Sequence, residues 1–496
     1  PTRPRPPRSR VSANVRKARS VAGRSAHDRR TKWRLNAAVF GLRRAAPELS
    51  AATPLPPWQW IAVYGFLPTL AAATFWMEDT GANAVPVLLL GSFFLIVVLR
   101  CAALWYLLTE KDGTTRRTNF TGTANSHIPT GMARTVSLHA ERPIYTVLLP
   151  VYDEAAVLPN LLTAIHALEY PKDKLDVLLI VESCDTRTCN AVNALYASGQ
   201  IPLYVRVIIV PAGGPQTKPR ALNYAMTFAR GAFVVIYDAE DMPEPDQLLR
   251  ALAHFKAGPG DLGCLQARLQ ISNANESWFS RQFAIEYTAL FNAILPTLQM
   301  LRLPLPLGGT SNHFRRHVLD GVGRWDPYNV TEDADLGLRL SRRGWQVQVL
   351  NSTTWEEAPP NFKVWYGQRT RWLKGWLQTY LVQMRSPSRL LRELGWWQFS
   401  GFQVFMGGPL LSAFIHPWFY LYVIYLLGEH GLTLATAQQP DLAGQSLLMS
   451  SLSQAMWQSI SDNTLLWVGS LNLMLGYVSA MLVARISLVH RQQDRL

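Results

Sequence analysis

Residues 143–154, PIYTVLLPVYDE, carry an apolar run into a polar, acidic end, and the pattern recurs along the chain. It returns in LDVLLIVESCD (175–185), YVRVIIVPAGG (204–214) and GAFVVIYDAED (231–241). Each run is short, rich in β-branched residues and closed by acids or glycine, which predicts a buried strand. After the first run comes VLPNLLTAIHAL (157–168), apolar at helical spacing. Strands alternating with helices predict an α/β domain over residues 141–360 with a mostly parallel sheet. Ligands of such sheets bind outside the carboxyl ends of the strands, where these acidic loops fall.

Outside that domain the chain changes character. Its 496 residues carry 48 Lys and Arg against 34 Asp and Glu, a net charge of +14. Fourteen of the basic residues, with the single acid Asp28, lie in residues 1–44, so the remainder is nearly neutral. This Arg-, Pro- and Ser-rich stretch lacks an apolar period, and residues 1–50 are expected to form a disordered basic cytosolic tail. Anionic lipid and the cytoplasmic retention of positive charge explain its place beside an apolar segment. A nucleic-acid-binding tail is the weaker alternative, so no nucleic-acid partner is expected. The first apolar run begins too far along the chain for a cleavable signal peptide. The four cysteines, Cys101, Cys184, Cys189 and Cys264, show no zinc spacing and are expected to be reduced, structural thiols.

Residues 58–77, WQWIAVYGFLPTLAAATFWM, contain no Lys, Arg or positively charged residue among twenty and only end as Glu78 begins, long enough to span a bilayer. With a second run over 84–108 they predict two transmembrane helices in 58–108, Arg100 reaching back to the interface. Residues 399–488 are expected to hold C-terminal spans, an apolar run over 399–427 broken by Pro409 and Pro417 and a clean one over 464–484. Two flanking segments, 276–301 and the Trp-rich 361–397, are too polar to span and are expected at the interface. Lys111, Arg116 and Arg117 after the second span, and Arg485, His490 and Arg491 after the last, put both ends of the chain in the cytoplasm.

Two motifs carry the chemistry. NVTEDADLGLRLSRRGW (329–345) reads as a loop running into a helix, with Asp333, Asp335 and Arg339 at its start and Gly344 suited to its C′ position. Downstream, Gln368, Arg371 and Trp372 are spaced to share one helical face. A carboxylate beside a polar, cationic and aromatic face suits deprotonation of a sugar hydroxyl while an anionic leaving group departs.

With Thr331-Glu332-Asp333 followed by Gln368-x-x-Arg371-Trp372, the chain resembles the family 2 glycosyltransferases, specifically the membrane-embedded processive branch of cellulose, curdlan, chitin and hyaluronan synthases. The resemblance runs roughly from residue 140 to 430. It implies a GT-A-type, Rossmann-like cytosolic domain inserted between transmembrane helices. It further implies a UDP-sugar donor, UDP-glucose by default, and Mg²⁺ or Mn²⁺ on its diphosphate. Tyr152 would stack on the base, with Glu154 and Arg220 lining the same pocket. Glu182 would hold the uracil or ribose, although the family more often has Asp there, and Lys218 would sit by the diphosphate. Asp238 and Glu240 would bind the metal, with Asp241 in reserve, in a D-A-E version of the D-x-D pattern. Asp333 would be the general base, Glu332 and Asp335 being carboxylates that spacing alone does not separate from it. Segment 308–316, GGTSNHFRR, would form part of the acceptor site, Trp372 would stack on the acceptor sugar, and Gln368 and Arg371 would face the diphosphate. Trp365 and Trp376 fall near the Trp372 face and are expected to anchor at the interface, and His254, His313 and His416 to be structural.

The function this implies is an inverting, processive β-glycosyltransferase that makes an exopolysaccharide and passes it across a bacterial inner membrane, multi-pass and with its catalytic domain cytosolic. Four spans are few for a channel, so a homo-oligomer or an export partner would complete the path. The alternatives are a single-transfer enzyme with a lipid-linked acceptor and an inactive membrane scaffold in polysaccharide export, which the TWEEAP segment (354–359) resembles.

Overall fold

A computed structural model describes residues 39–80, 84–111, 142–415 and 464–493, with positions 424 and 428. The tail up to residue 38, Arg116, Arg117, His416 and Pro417 lie outside the described residues. Two long helices, α1 (Pro57–Thr80) and α2 (Ala84–Lys111), precede the domain. Strands β1 (Tyr145–Val151), β2 (Leu175–Glu182), β3 (Val205–Val210) and β4 (Phe233–Ile236) then alternate with helices α3 (Leu158–His166), α4 (Thr186–Ala197) and α5 (Lys218–Ala225). After β5 (Met242–Pro243) come α6 (Gln247–Ala257), β6 (Leu262–Ile271), α7 (Trp278–Ala289), β7 (Asn312–Arg315), α8 (Glu332–Arg342) and β8 (Gln346–Glu356). Helices α9 (Phe362–Gln383), α10 (Pro387–Phe402) and α11 (Thr464–Gln493) complete the long elements.

The strands form one sheet in the order β3-β2-β1-β4-β7-β6-β8-β5. The four strands expected from sequence are parallel neighbours. The other half is mixed: β7 runs antiparallel to both β4 and β6, and β5 antiparallel to β8. A mostly parallel sheet is therefore corrected to a mixed one. The cause is β7, four residues that enter the sheet centre from a loop rather than from a crossover helix.

Side chains on successive residues of a strand point to opposite faces, and both faces here are covered. Val147, Leu149, Val177, Leu179 and Val235 pack with α3, α4 and α6. Leu148, Leu178, Ile180, Val234 and Ile236 pack on the other face with α5, α8 and Leu295–Met300. That double covering is why the strands read as unbroken apolar runs. At the amino ends of the strands the buried Asp176 accepts from Thr146 Oγ1 at 2.9 Å, Arg206 Nη2 at 2.6 Å and the Arg230 backbone at 2.9 Å. This ion cluster lies at the opposite end of the sheet from the acidic loops.

Outside the sheet domain, α2 and α11 pack against each other. Ala103 and Leu107 of α2 and Val483 of α11 bury with Ala293, in the turn that follows α7, so both long helices are fastened to the domain. Among the described residues one segment, Leu471–Val489, is long and apolar enough to cross a membrane, with Phe93–Thr109 a shorter apolar helix. Arg100 does not reach outward: its Nη1 donates to the Gly476 carbonyl of α11 at 2.7 Å. Residues 39–50, expected to belong to the basic tail, are folded onto the domain: Leu42, Ala46 and Leu49 bury together and Ser50 is fully enclosed.

Candidate active site

The carboxyl ends of β1 and β4, the loop before β7 and the start of α8 converge on one acidic floor. Lys218, the first residue of α5, bonds the Asp238 carboxylate and donates to the Gly309 carbonyl at 2.8 Å. Burial opposes its charge, but Asp238 and then Glu332 outweigh it, and the ammonium is held well above its usual range. Asp241 is buried and holds the turn: it accepts the Asp238 backbone N–H at 2.7 Å and the Thr310 hydroxyl. Glu240 lies at the rim, exposed by surface area but close to the other acids and partly shielded from water by the surrounding protein. Loss of surrounding water and the Asp238 charge raise its carboxyl.

Helix α8 brings the second group of acids. Its end is legible in sequence: the Gly344 N–H bonds Ser341 O at 3.0 Å and the Trp345 N–H bonds Leu340 O at 3.0 Å, with Gly344 at φ 77°. That pairing is a Schellman cap with glycine at C′. At its start, Asp333 Oδ1 accepts from the Ala334 N–H at 2.8 Å, and Oδ2 lies 3.5 Å from where a Gly309 β-carbon would sit. Desolvation raises Asp333, and desolvation with the charge of Asp333 pushes Glu332 up to about 8. Asp335 is taken out of contention, being fully buried and bonded to Arg339 at 2.7 Å and Gln383 at 2.6 Å.

Helix α9 closes on this floor because Gly375 has no side chain. A β-carbon there would lie 3.0 Å from Thr331 Oγ1 and closer still to its methyl group. Around that contact the two segments interlock: Thr331 Oγ1 meets Thr379 Oγ1 at 3.0 Å, and the Val330 N–H donates to Gln378 Oε1 at 3.0 Å. One turn earlier on α9, Trp372 packs against Phe283 and Tyr287 of α7, ring centroids 5.6 and 6.4 Å apart. Arg369 lies over the rings of Phe283, Trp365 and Trp372 at 4.9, 5.7 and 5.1 Å and pairs with Glu286. Gln368 is half-buried and Arg371 exposed. Trp365 stays with Trp372, whereas Trp376 turns to Phe405 in a separate cluster, so the three do not share one face.

Around the residues expected to hold the nucleotide the grouping is looser. Tyr152 is 56% exposed beside a loop pinned by Asp185, whose Oδ2 accepts the Asp153 N–H at 2.6 Å. Glu154 faces the acidic floor instead; desolvation, then Glu240 and Asp238, push its carboxyl up to about 7. Glu182 and Arg220 are buried and meet each other at 3.4 Å, and Arg220 Nη2 also donates to Pro211 O at 2.6 Å. Arg220 and Lys218 thus diverge. His313 is enclosed between Tyr145 OH at 2.8 Å and Gln247 Oε1 at 3.2 Å, and burial drives its pKa down to about 3. With His254 bonded to Gln348 at 2.8 Å, both histidines sit in the protein's framework.

Sequence reasoning assigned no site role to Arg369, Glu286, Tyr287 or Glu356, and reached Thr310 only as part of segment 308–316; Arg369 lay inside Gln368-Arg369-Thr370-Arg371-Trp372 and Glu356 inside the 354–359 segment. Glu356, at the end of β8, is raised well above the usual range by desolvation and then by Asp241, Asp238 and Glu240.

Two buried oxygens on this floor, Asp241 Oδ1 and Glu356 Oε1, have no hydrogen-bond partner. Among the described residues no three His, Cys, Asp or Glu side chains form a ready metal cage. Mg²⁺ and Mn²⁺ at such sites take one or two carboxylates and complete their shell with substrate phosphate and water. An acid-rich floor with orphaned oxygens fits that use.

Comparison with known proteins agrees with the geometry. Residues 142–375 match the profile described as glycosyltransferase like family 2. Over 280 residues the chain is 27% identical to a probable glycosyltransferase, YdaM, of Bacillus subtilis, covering 55% of this chain and 66% of that protein. It is 30% identical over 261 residues to a beta-monoglucosyldiacylglycerol synthase of Synechocystis, covering 52% of each. The chain thus spans about half to two thirds of the length of these curated relatives. Among solved structures, a mannosyltransferase of Pyrobaculum calidifontis, in complex with GDP-Man and Mn²⁺, aligns with TM-score 0.47 at 16% identity, covering 81% of this chain and 99% of that one. Residues 142–375 thus match a family 2 glycosyltransferase domain, carried on the mixed eight-stranded sheet.

Proposed function

We propose that the protein is an inverting glycosyltransferase that takes a sugar from a nucleoside diphosphate, UDP-glucose by preference, and places it on a hydroxyl of a membrane-lipid acceptor. The observation that carries this reading is the meeting of Lys218 and Asp238 with Glu332 and Asp333 on one floor beside Gly309. In this reading Lys218 handles the departing anion and Asp333, on the same floor, serves as the base. Similarity to the beta-monoglucosyldiacylglycerol synthase of Synechocystis and the fastening of α7 to the apolar helices α2 and α11 support a lipid acceptor.

Asp238 and Glu240, with Asp241 behind them, would hold Mg²⁺ or Mn²⁺, which neutralises diphosphate charge as the bond to the sugar breaks. Lys218 binds the diphosphate as a flexible point charge. Tyr152 stacks on the base, and the buried Glu182–Arg220 pair shapes the pocket behind it. Asp333 takes the acceptor proton as the hydroxyl oxygen attacks the anomeric carbon in line with the departing phosphate oxygen. An α-linked donor therefore gives a β-linked product. Its raised proton affinity suits a base near neutral pH. Trp372 supplies the acceptor wall, with Gln368 and Arg371 on the diphosphate side.

A second reading, a processive polymerase that extrudes its chain through the membrane alone or with an oligomeric or export partner, is favoured by the Gln368-x-x-Arg371-Trp372 motif. Incubating the lipid-reconstituted protein with a panel of UDP-sugars and Mg²⁺ or Mn²⁺ separates the two. UDP release with a single-sugar, solvent-extractable lipid product supports the first reading. A high-mass product sensitive to a glucanase or chitinase supports the second. No release from any nucleotide sugar, by protein shown to be folded, sinks both and leaves the scaffold.

A further inference from the structure

Residues 39–53 lie outside the family-matched domain, yet they are fastened to two of its catalytic elements. Asp326 accepts from Ser50 Oγ at 3.0 Å, from the Ala51 N–H at 2.6 Å and from the Tyr328 N–H at 3.2 Å. Both Asp326 and Ser50 are fully buried. Five residues on from Asp326 the same loop becomes Thr331-Glu332-Asp333. On its other side, the Pro327 carbonyl accepts from Thr217 Oγ1 at 2.9 Å, immediately before Lys218. Asn223, on the Lys218 helix, donates to both the Val39 and Trp325 carbonyls, at 3.0 and 2.8 Å.

The strap is held down along its length. Leu42 packs against Gly323, where a β-carbon would come within 3.1 Å of it. Arg385, just past α9, donates to the carbonyls of Glu48 and Ser50 at 2.7 and 2.8 Å and to that of Thr53. Arg43 reaches Tyr328 OH at 3.0 Å. A buried carboxylate with three donors from two chain segments fixes their relative position more tightly than apolar contact, because moving either leaves the charge unsatisfied.

We propose that the strap, through Asp326, is a positioning element of the active site: it sets the separation between the Lys218 end of α5 and the carboxylates at the start of α8. This rests on the transferase reading, and its failure is read separately. Ser50→Asp would place a second carboxylate against Asp326, and Ser50→Asp/Asp326→Asn would remove that repulsion and restore a hydrogen bond. In the full-length, lipid-reconstituted protein, Ser50→Asp is expected to lower kcat by about tenfold or more, as a misplaced reacting group does. The donor KM should stay within about twofold, since Ser50 acts on the Asp326 loop and the α8 carboxylates while Lys218 keeps its bonds to Asp238 and the Gly309 carbonyl, and the double variant should recover most of the rate. Amide exchange of 326–335 should rise in Ser50→Asp and fall again in the double variant, a readout independent of turnover. Ser50→Ala, which removes only one donor, gives a smaller loss of the same kind and decides the matter where Ser50→Asp does not fold. Unchanged kcat in folded variants, a fall in rate matched by a rise in KM, or exchange that does not respond would each overturn the proposal. A wild type that turns over no nucleotide sugar overturns the transferase reading instead, and exchange alone then judges the strap.

Discussion

Gly375→Ala is the sharpest perturbation of the site. The added β-carbon would lie 3.0 Å from Thr331 Oγ1 and 3.1 Å from Thr331 N, with the Thr331 methyl nearer still, against an ordinary contact of 3.4–4 Å. Neither neighbour is the far end of a flexible side chain. Helix α9 and the Thr331 loop must therefore part by on the order of 1 Å, and overpacking of this kind costs about 1–3 kcal/mol. The same movement stretches the Thr331–Thr379 and Val330–Gln378 bonds and carries Asp333 away from Gly309. A shift of about 1 Å at a reacting group lowers the rate on the order of a hundredfold. The assay is UDP release under saturating donor, with thermal unfolding measured on the same preparation. Adding Thr331→Ser removes the methyl while keeping the hydroxyl bond to Thr379, and should return part of both losses. Gly375→Ala with wild-type rate and melting temperature would refute the account of how α9 and α8 meet.

Asp333→Asn should abolish turnover, by about a hundredfold or more, while UDP binding measured by calorimetry stays near wild type; Glu332→Gln proving the more damaging would exchange their roles. Glu154 and Glu332 have pKa values raised to about 7 and about 8 in the fold. The folded protein thus binds protons that the unfolded chain has already released; between about pH 4.5 and 6.5 the buried, neutral His313 opposes this trend, and from about 6.5 to about 8 stability falls as pH rises. Differential scanning fluorimetry should show that fall, and Mn²⁺ with UDP should raise the melting temperature more at pH 8 than at pH 6. A melting temperature that climbs across this window would contradict the acidic floor. Arg369→Met removes the cation from three rings and from Glu286, and should raise the acceptor KM by up to about thirtyfold with donor KM unchanged. Arg369→Lys, which keeps charge without the planar stack, should fall between, and equal effects on both KM values would assign Arg369 to general stability.

Much of the parallel half of the fold was legible because its signals are local. β1 to β4 announce themselves as apolar runs closed by acids, and the α8 terminus by Gly344. The other half was not. β7 is four residues, Asn312–Arg315, and nothing in its composition tells that it inserts antiparallel between β4 and β6. Arg100 looked like a residue near the end of a span, and only α11 supplies the carbonyl that holds it inside. Asp335 and Asp333 are both plausible bases by spacing; a buried Arg339 and Gln383 separate them, and those partners are visible only once α8 and α9 are packed.

The start of α8 is held from three directions, and all three depend on residues remote in sequence. From the sheet side, Gly337 lets Leu305 and Leu307 press against the helix; a β-carbon would come within 3.0 Å of the Leu307 nitrogen. From α9, Gly375 admits Thr331, and the hydroxyl contact between Thr331 and Thr379 spans 48 positions. From the strap, Ser50 reaches Asp326 across 276 positions. Two of the three devices are glycines that act by lacking a side chain, and the third is a serine in a stretch that reads as disordered tail. A motif records which acids do the chemistry, because their identity is chemical. It does not record what holds them in place, since any small residue or hydroxyl fits the local pattern and only the distant partner makes that choice necessary. The acids proposed as catalytic are legible in Thr331-Glu332-Asp333, whereas their positions depend on partners at residues 50, 305, 307 and 375 that no window around the motif contains.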